Sequence, residues 1–274
     1  MDKKLLTIQD ISCFGQCSLT VALPVISACG IETVILPSAV LSTHTAPGFK
    51  NYTFRDLTGD LPAIEKSWLE NGIGFDAFYT GYVCENQIEP ILDIMRSCAK
   101  PGALRIVDPA MADNGRLYAG FKADFPRRMA KLCSGADYLL PNLTEAALLL
   151  GEECHLDSRD PEYYKDLVKK LHTLGAKNVI LTGVAFDDAH LGCAVSDGKS
   201  IEFDFNRKCR RCSHGTGDLF ASVFSGALLR GKSAMRAAEI AADTVCLAID
   251  ATPDGHWYGV CFEKVIPELV EMLK

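Results

Sequence analysis

Residues 214–221 read HGTGDLFA and place an aspartate, Asp218, between two glycines and a stretch that is apolar nearly all round. A charge at such a seam costs folding energy unless it has a partner or a task. The first amides of a helix lack internal partners and carry the positive end of its dipole. Gly215 and Gly217, on either side of Thr216, let that backbone approach a ligand closely. The result is a cradle for an anion, suited to a phosphoryl group or to the charge that develops during its transfer. Asp218, in the first turn, is placed to take the proton of an attacking hydroxyl, the general-base role that phosphoryl transfer to an alcohol requires. The same residues also suit a plainer role, an aspartate stabilising a helix N-terminus, and at this level both readings stand.

Positioning such groups falls to an alternation of strand-like and helix-like segments. Apolar runs predict strands at 5–9, 33–40, 76–82, 104–108, 138–142 and 179–183. Helical patterns fall at 18–29, 61–71, 86–98, 123–134, 143–150 and 161–174, four of them stopping at Gly30, Gly72, Gly151 and Gly175. A hairpin over HLGCAV and SIEFDF follows, turning at Asp197-Gly198. This βα alternation predicts an α/β fold, a mainly parallel sheet with helices on both faces. With no linker and no internal repeat, residues 1–274 read as one domain. Ligands of such sheets sit beyond the carboxyl ends of the strands. The residues there are Gln9-Asp10, Ser42 to Thr45 with His44, Thr80-Gly81-Tyr82, Asp108, Asn142 with Glu145, and Thr182-Gly183. Carboxylates, a histidine and a tyrosine exceed what turns need, so this rim reads as an active site.

Composition narrows the classes. The chain has 274 residues, 48% hydrophobic and 23% charged, with a net charge of −7, which fits neither a disordered nor a fibrous protein. The one dense basic cluster, RKCRR at 207–211, is too short for a nucleic-acid footprint. No signal peptide and no membrane span are expected, so the expected location is the cytoplasm. Most of the 12 cysteines read as small buried hydrophobes. Cys209 and Cys212, in CRRC, have the spacing of half a zinc or redox site, and His214 follows, but no second pair stands nearby.

The stretches LLTIQD, STHT, TGYV, DPAMAD, PNLTEA, VILTG and HGTGDLFA, in this order, make the chain resemble the pyridoxal (pyridoxine/pyridoxamine) kinases of the ribokinase superfamily over nearly its whole length. The resemblance implies a three-layer ribokinase-like fold, a homodimer, and ATP-dependent phosphorylation of the 5'-hydroxymethyl group of a vitamin B6 vitamer. By it, Asp218 is the catalytic base and the amides of Gly215, Thr216 and Gly217 form the anion hole. Asp10, His44, Thr45 and Tyr82 line the pyridine pocket. Asp108 and Asp113 stand near the nucleotide phosphates and cations, Asn142 and Glu145 position magnesium largely through water, and Thr182 contacts ATP and a monovalent cation, K+ or Na+. Two positions depart from the family pattern. Asp10 stands where many relatives have serine, and its carboxylate suits a protonated ring nitrogen or an amine, which favours pyridoxamine. Leu140 stands where relatives often carry threonine, which puts the monovalent-cation site in question.

Residues 111–121, with two glycines and Tyr118, read either as a flap over the ligand or as an ordinary surface loop. Some distant vitamin B6 kinases capture the aldehyde of pyridoxal with a cysteine; Cys212 is so placed in sequence, a small buried residue being the alternative. Hydroxymethylpyrimidine kinases of thiamine synthesis share the fold but tend to have a glycine-rich first loop and cysteine for the aspartate. A vitamin-binding protein without catalysis, and a zinc or redox protein built on CRRC, complete the alternatives.

Overall fold

The computed structural model describes residues 3–46, 48–209 and 213–274. Its strands are β1 (Lys4–Ser12), β2 (Glu32–Leu41), β3 (Phe54–Asp56), β4 (Phe75–Thr80), β5 (Ala99–Val107), β6 (Ala112–Asp113), β7 (Arg116–Leu117), β8 (Tyr138–Leu139), β9 (Asn178–Val184), β10 (His190–Ser196) and β11 (Ile201–Arg207). Its helices are α1 (Leu19–Ala28), α2 (Leu61–Glu70), α3 (Ile88–Ser97), α4 (Phe125–Cys133), α5 (Leu143–Leu150), α6 (Pro161–His172), α7 (Thr216–Leu229), α8 (Ala234–Ala251) and α9 (Ile266–Met272).

One sheet runs in the order β11-β10-β9-β8-β5-β4-β1-β2-β3, and β6 with β7 makes a separate hairpin. The central strands pair in parallel, while β3 at one edge and the β10–β11 hairpin at the other are antiparallel. Apolar side chains fill both faces. Leu6, Ile8, Phe78 and Val107 pack with α2 to α6, and Leu5, Ala77, Tyr79 and Ile106 pack with α1, α7, α8 and α9. Burial on two sides explains why these strands read as continuous apolar runs. Order reverses between β1 and β4, so a crevice opens there, beyond the strand ends.

The helices stop where the glycines predict: Gly151 closes α5 in the left-handed region, and Gly175 follows α6 with φ 98°. Asp197 accepts the amides of Lys199 and Ser200 at the β10–β11 turn. Some boundaries differ from expectation. Asp10 lies inside β1, at a bulge between Gln9 and Ile11, rather than past its end. Strand β4 stops at Thr80, leaving Tyr82 on the loop. Strand β8 is only two residues long, because Pro141 has no amide for the ladder; pairing resumes as a single bridge between Asn142 and Thr182. Edge strand β3 is fully exposed and carries no apolar periodicity, and β6–β7 is too short to have any. No helix among the described residues is long and apolar enough to cross a membrane.

Candidate active site

The N-terminus of α7 faces the crevice. Gly215 has φ 78°, and a Cβ there would lie 2.0 Å from the carbonyl oxygen of Gln16. Only glycine serves on both counts. Gly217 is a different case. It is helical and exposed, and a Cβ there would meet no atom within 4 Å. Glycine inside a helix costs roughly 0.5–1 kcal/mol against alanine, so nothing in the packing asks for it. What it leaves bare is an amide face that a ligand can touch. Thr216 turns its hydroxyl back to the Ser213 carbonyl at 3.1 Å.

Asp218 is half-buried in the first turn of α7. Burial raises its pKa to about 6; the Ser18 amide, acting on the carboxylate, lowers it, and the charge of Asp10 raises it. A carboxylate ionised at neutral pH, yet basic for its type, is the state a proton acceptor needs. Asp10 is buried and accepts the Ser12 hydroxyl at 2.9 Å, and burial raises its pKa as well. Beneath them Gln9 lies against Gly81, where a Cβ would come 2.3 Å from Gln9 Oε1.

His44 is occupied within the protein. Its Nδ1 accepts the Ala46 amide at 3.2 Å, so Nε2 carries the hydrogen and donates to the Tyr258 carbonyl at 3.0 Å. Burial holds its pKa below the usual value. To a ligand it offers ring surface rather than a hydrogen bond, and its ring lies 4.7 Å from Phe49 and 5.3 Å from His214. Thr45 is exposed on the same loop. Tyr82 packs its ring 5.2 Å from Phe121, and its hydroxyl pKa is raised by burial and then by the charges of Cys84 and Asp10.

Asp108 and Glu145 stand deep on the other side of the crevice. Glu145 accepts the amides of Met111 (3.1 Å) and Ala112 (3.5 Å) on one oxygen and that of Asn142 (2.9 Å) on the other. Asn142 caps α5 by accepting the Glu145 amide at 2.9 Å and donates to the Ala112 carbonyl at 2.8 Å. Burial nevertheless raises Glu145 to about 8, and raises Asp108 well above the carboxylate range, with Glu145 and Asp218 adding repulsion. Asp113 is exposed on the β6–β7 hairpin, where it accepts the amide and the side chain of Asn114. Thr182 is half-buried at the end of β9, its amide on the Pro141 carbonyl.

The crevice therefore gathers Asp10, Asp108, Glu145 and Asp218, and none of them is paired with a lysine or arginine among the described residues. Among the described residues, no three His, Cys, Asp or Glu side chains are arranged to hold a metal alone. A divalent cation fits this uncompensated charge provided that water and phosphate oxygens complete its shell. Residues 111–121 are no plain loop. They hold the β6–β7 hairpin, pinned to α5 through Asn142 and through the Gly115 amide on Thr144 Oγ1 at 3.0 Å. Tyr118 has its hydroxyl pKa raised by burial and by Glu145, Asp108, Asp113 and Asp218.

Sequence reasoning missed Ser12, Ser18 and Cys17. Burial and the charges of Asp218 and Asp10 keep the Cys17 thiol protonated, so it is not a nucleophile in waiting. None of the three belongs to a motif; they reach the site because α1, which follows them in the chain, packs against α7. Cys212, Arg210 and Arg211, and with them the CRRC spacing, lie outside the described residues.

A profile of the phosphomethylpyrimidine kinase family matches residues 64–260. A pyridoxal kinase of Dictyostelium discoideum is 26% identical over 254 residues, 84% of this chain and 80% of its own. A crystal structure described as that of a phosphomethylpyrimidine kinase from Bacteroides thetaiotaomicron, in a form with pyridoxal, is 33% identical. It superposes with a TM-score of 0.92 over 98% of this chain and 96% of its own. The pyridoxal kinase of Lactobacillus plantarum is 29% identical, with a TM-score of 0.89 over 98% and 97%.

Proposed function

The chain belongs to the phosphomethylpyrimidine kinase family, a ribokinase-like group of kinases, and from that premise we propose that it phosphorylates the 5'-hydroxymethyl group of vitamin B6 with ATP. The observation that carries the reading is Asp218, half-buried beside the bare amide face of Gly217, with its pKa raised to about 6. The relative from Bacteroides thetaiotaomicron, in a form with pyridoxal, and the two pyridoxal kinases support the choice of vitamin.

In this reading the alcohol lies at the β1–β4 crevice between Asp10, Tyr82 and the His44 ring, with Thr45 at the rim. Asp218 takes the hydroxyl proton as oxygen attacks phosphorus. The amides of Gly215, Thr216 and Gly217 face the charge that develops on the moving phosphoryl group. ATP lies toward Asp108, Asn142, Glu145 and Thr182, and the hairpin with Asp113 and Tyr118 excludes water above it. Asp108 and Glu145 would hold magnesium, with Asp113 beside them. Magnesium, when bound, neutralises phosphate charge that these carboxylates would otherwise repel.

The family description favours a second reading, a hydroxymethylpyrimidine kinase. A coupled ADP-release assay with pyridoxal, pyridoxamine, pyridoxine and hydroxymethylpyrimidine side by side separates the two. The proposal expects kcat/KM at least tenfold higher for one or more B6 vitamers; turnover of the pyrimidine alone overturns it. If no alcohol in the panel raises ADP release above the rate with water, a binding protein is indicated.

A further inference from the structure

The turn that opens α7 is held from outside its own helix, and a single residue supplies much of the hold. Gln16 lies half-buried on the loop after β1, its carbonyl oxygen pressed onto Gly215, where a Cβ would come within 2.0 Å. Its amide donates to the Tyr258 carbonyl at 3.1 Å. Its Nε2 donates to both carboxylate oxygens of Glu263, at 2.7 and 2.9 Å. Its Oε1 can only accept, so in the 2.6 Å contact with His256 Nε2 the histidine nitrogen is the donor. Gly259 completes the grip, since a Cβ there would lie 2.5 Å from the Gln16 Cβ. Two residues further on, Ser18 has φ 52° and ψ −131°, a conformation that side chains avoid. Its amide acts on the Asp218 carboxylate. The loop thus touches the glycine turn at one end and the aspartate at the other.

We propose that Gln16 is a positioning residue, which through its clasp on residues 256–263 fixes the Gly215–Gly217 amides relative to the Asp218 carboxylate. The inference rests on the phosphoryl-transfer reading of that turn. Only an amide satisfies the clasp, because it must donate to a carboxylate and accept from an imidazole at once. A staple serving stability alone would have no need to bear on the glycine that opens the helix. Ser18, two residues along the same loop, turns its amide toward the base.

The test is Gln16→Glu, which keeps the shape and sets two carboxylates face to face, together with the double variant Gln16→Glu/Glu263→Gln. In the double variant the new amide at 263 donates to the new carboxylate at 16, and His256 keeps its acceptor. Gln16→Glu is expected to lower kcat at least tenfold, with KM for the alcohol and for ATP changed less than threefold. The double variant is expected to return kcat to within threefold of the wild type. Hydrogen–deuterium exchange gives a readout independent of turnover. The Leu219 amide, bonded to the Gly215 carbonyl at 2.9 Å, should exchange faster in Gln16→Glu and recover in the double variant. Wild-type kcat with only a lowered melting temperature, or recovery of the melting temperature without kcat, overturns the proposal. Should Gln16→Glu not fold, Gln16→Met carries the same expectations for kcat and exchange. If the wild type phosphorylates no alcohol, the functional reading fails by itself, and unchanged Leu219 exchange in the variant overturns the clasp separately.

Discussion

At the residue scale, two glycines two positions apart in one chain segment make opposite predictions. Gly215→Ala forces a side chain into the left-handed region and onto the Gln16 carbonyl, so thermal melting should show a loss above about 2 kcal/mol. Gly217→Ala meets open space and should melt no lower, and up to about 1 kcal/mol higher, while its activity drops at least tenfold as the new methyl enters the anion cradle. An active Gly217→Ala would remove the cradle from the account. Asp218 makes a prediction about pH. Burial lifts it to about 6, so kcat/KM for the alcohol should fall with unit slope as pH drops below about 6, as the base takes up its proton. A flat profile from pH 5 to 8 would contradict a titrating base there. The motif around Asp218 was legible in the sequence because helix ends and glycines announce themselves locally. Ser18, some 200 positions away and without a motif, was not; its contact exists only once α1, which Ser18 opens, packs against α7.

At the scale of elements, α5 performs two tasks with one asparagine. Asn142 Oδ1 caps the helix and Nδ2 tethers the β6–β7 hairpin through the Ala112 carbonyl. Asn142→Ser retains a good cap and loses the tether. Stability should change by less than about 1 kcal/mol, whereas KM for ATP should rise several-fold and the 111–118 amides should exchange faster. Equal exchange in variant and wild type would show that the hairpin stands without the tether. The same region shows where the sequence falls silent. Helix α5 and its glycine stop were readable from apolar spacing and from Gly151, but two-residue strands such as β6 and β7 have no periodicity to read. The bulge that holds Asp10 inside β1 was hidden for a related reason, since the strand around it is buried on both faces and shows no alternation of apolar and polar residues. His44 was legible as a rim residue, yet its engagement with Tyr258 depends on a loop from the far end of the chain.

For the whole molecule, the doubly wound sheet concentrates carboxylates where its order reverses, and burial leaves them short of positive charge. Asp108 illustrates the consequence for stability. A carboxyl whose folded pKa lies above its unfolded value binds its proton more tightly when folded, so its ionisation weakens the fold as pH rises through the folded value. Asp108, raised well above the usual range, should therefore cost stability at pH 8. Asp108→Asn should melt higher than the wild type there by more than about 1 kcal/mol; the advantage should shrink toward pH 4, where the unfolded carboxyl too is protonated, and activity should be lost. A variant no more stable at any pH would mean that the charge is compensated within the protein. The account as a whole stands on the proton that Asp218 receives, and the most direct measurement is steady-state ADP release by Asp218→Asn with the best vitamin B6 vitamer at pH 8. The account predicts a kcat lower by about 10²–10⁴-fold, with both KM values within a few-fold of the wild type. A kcat within threefold of the wild type would contradict it.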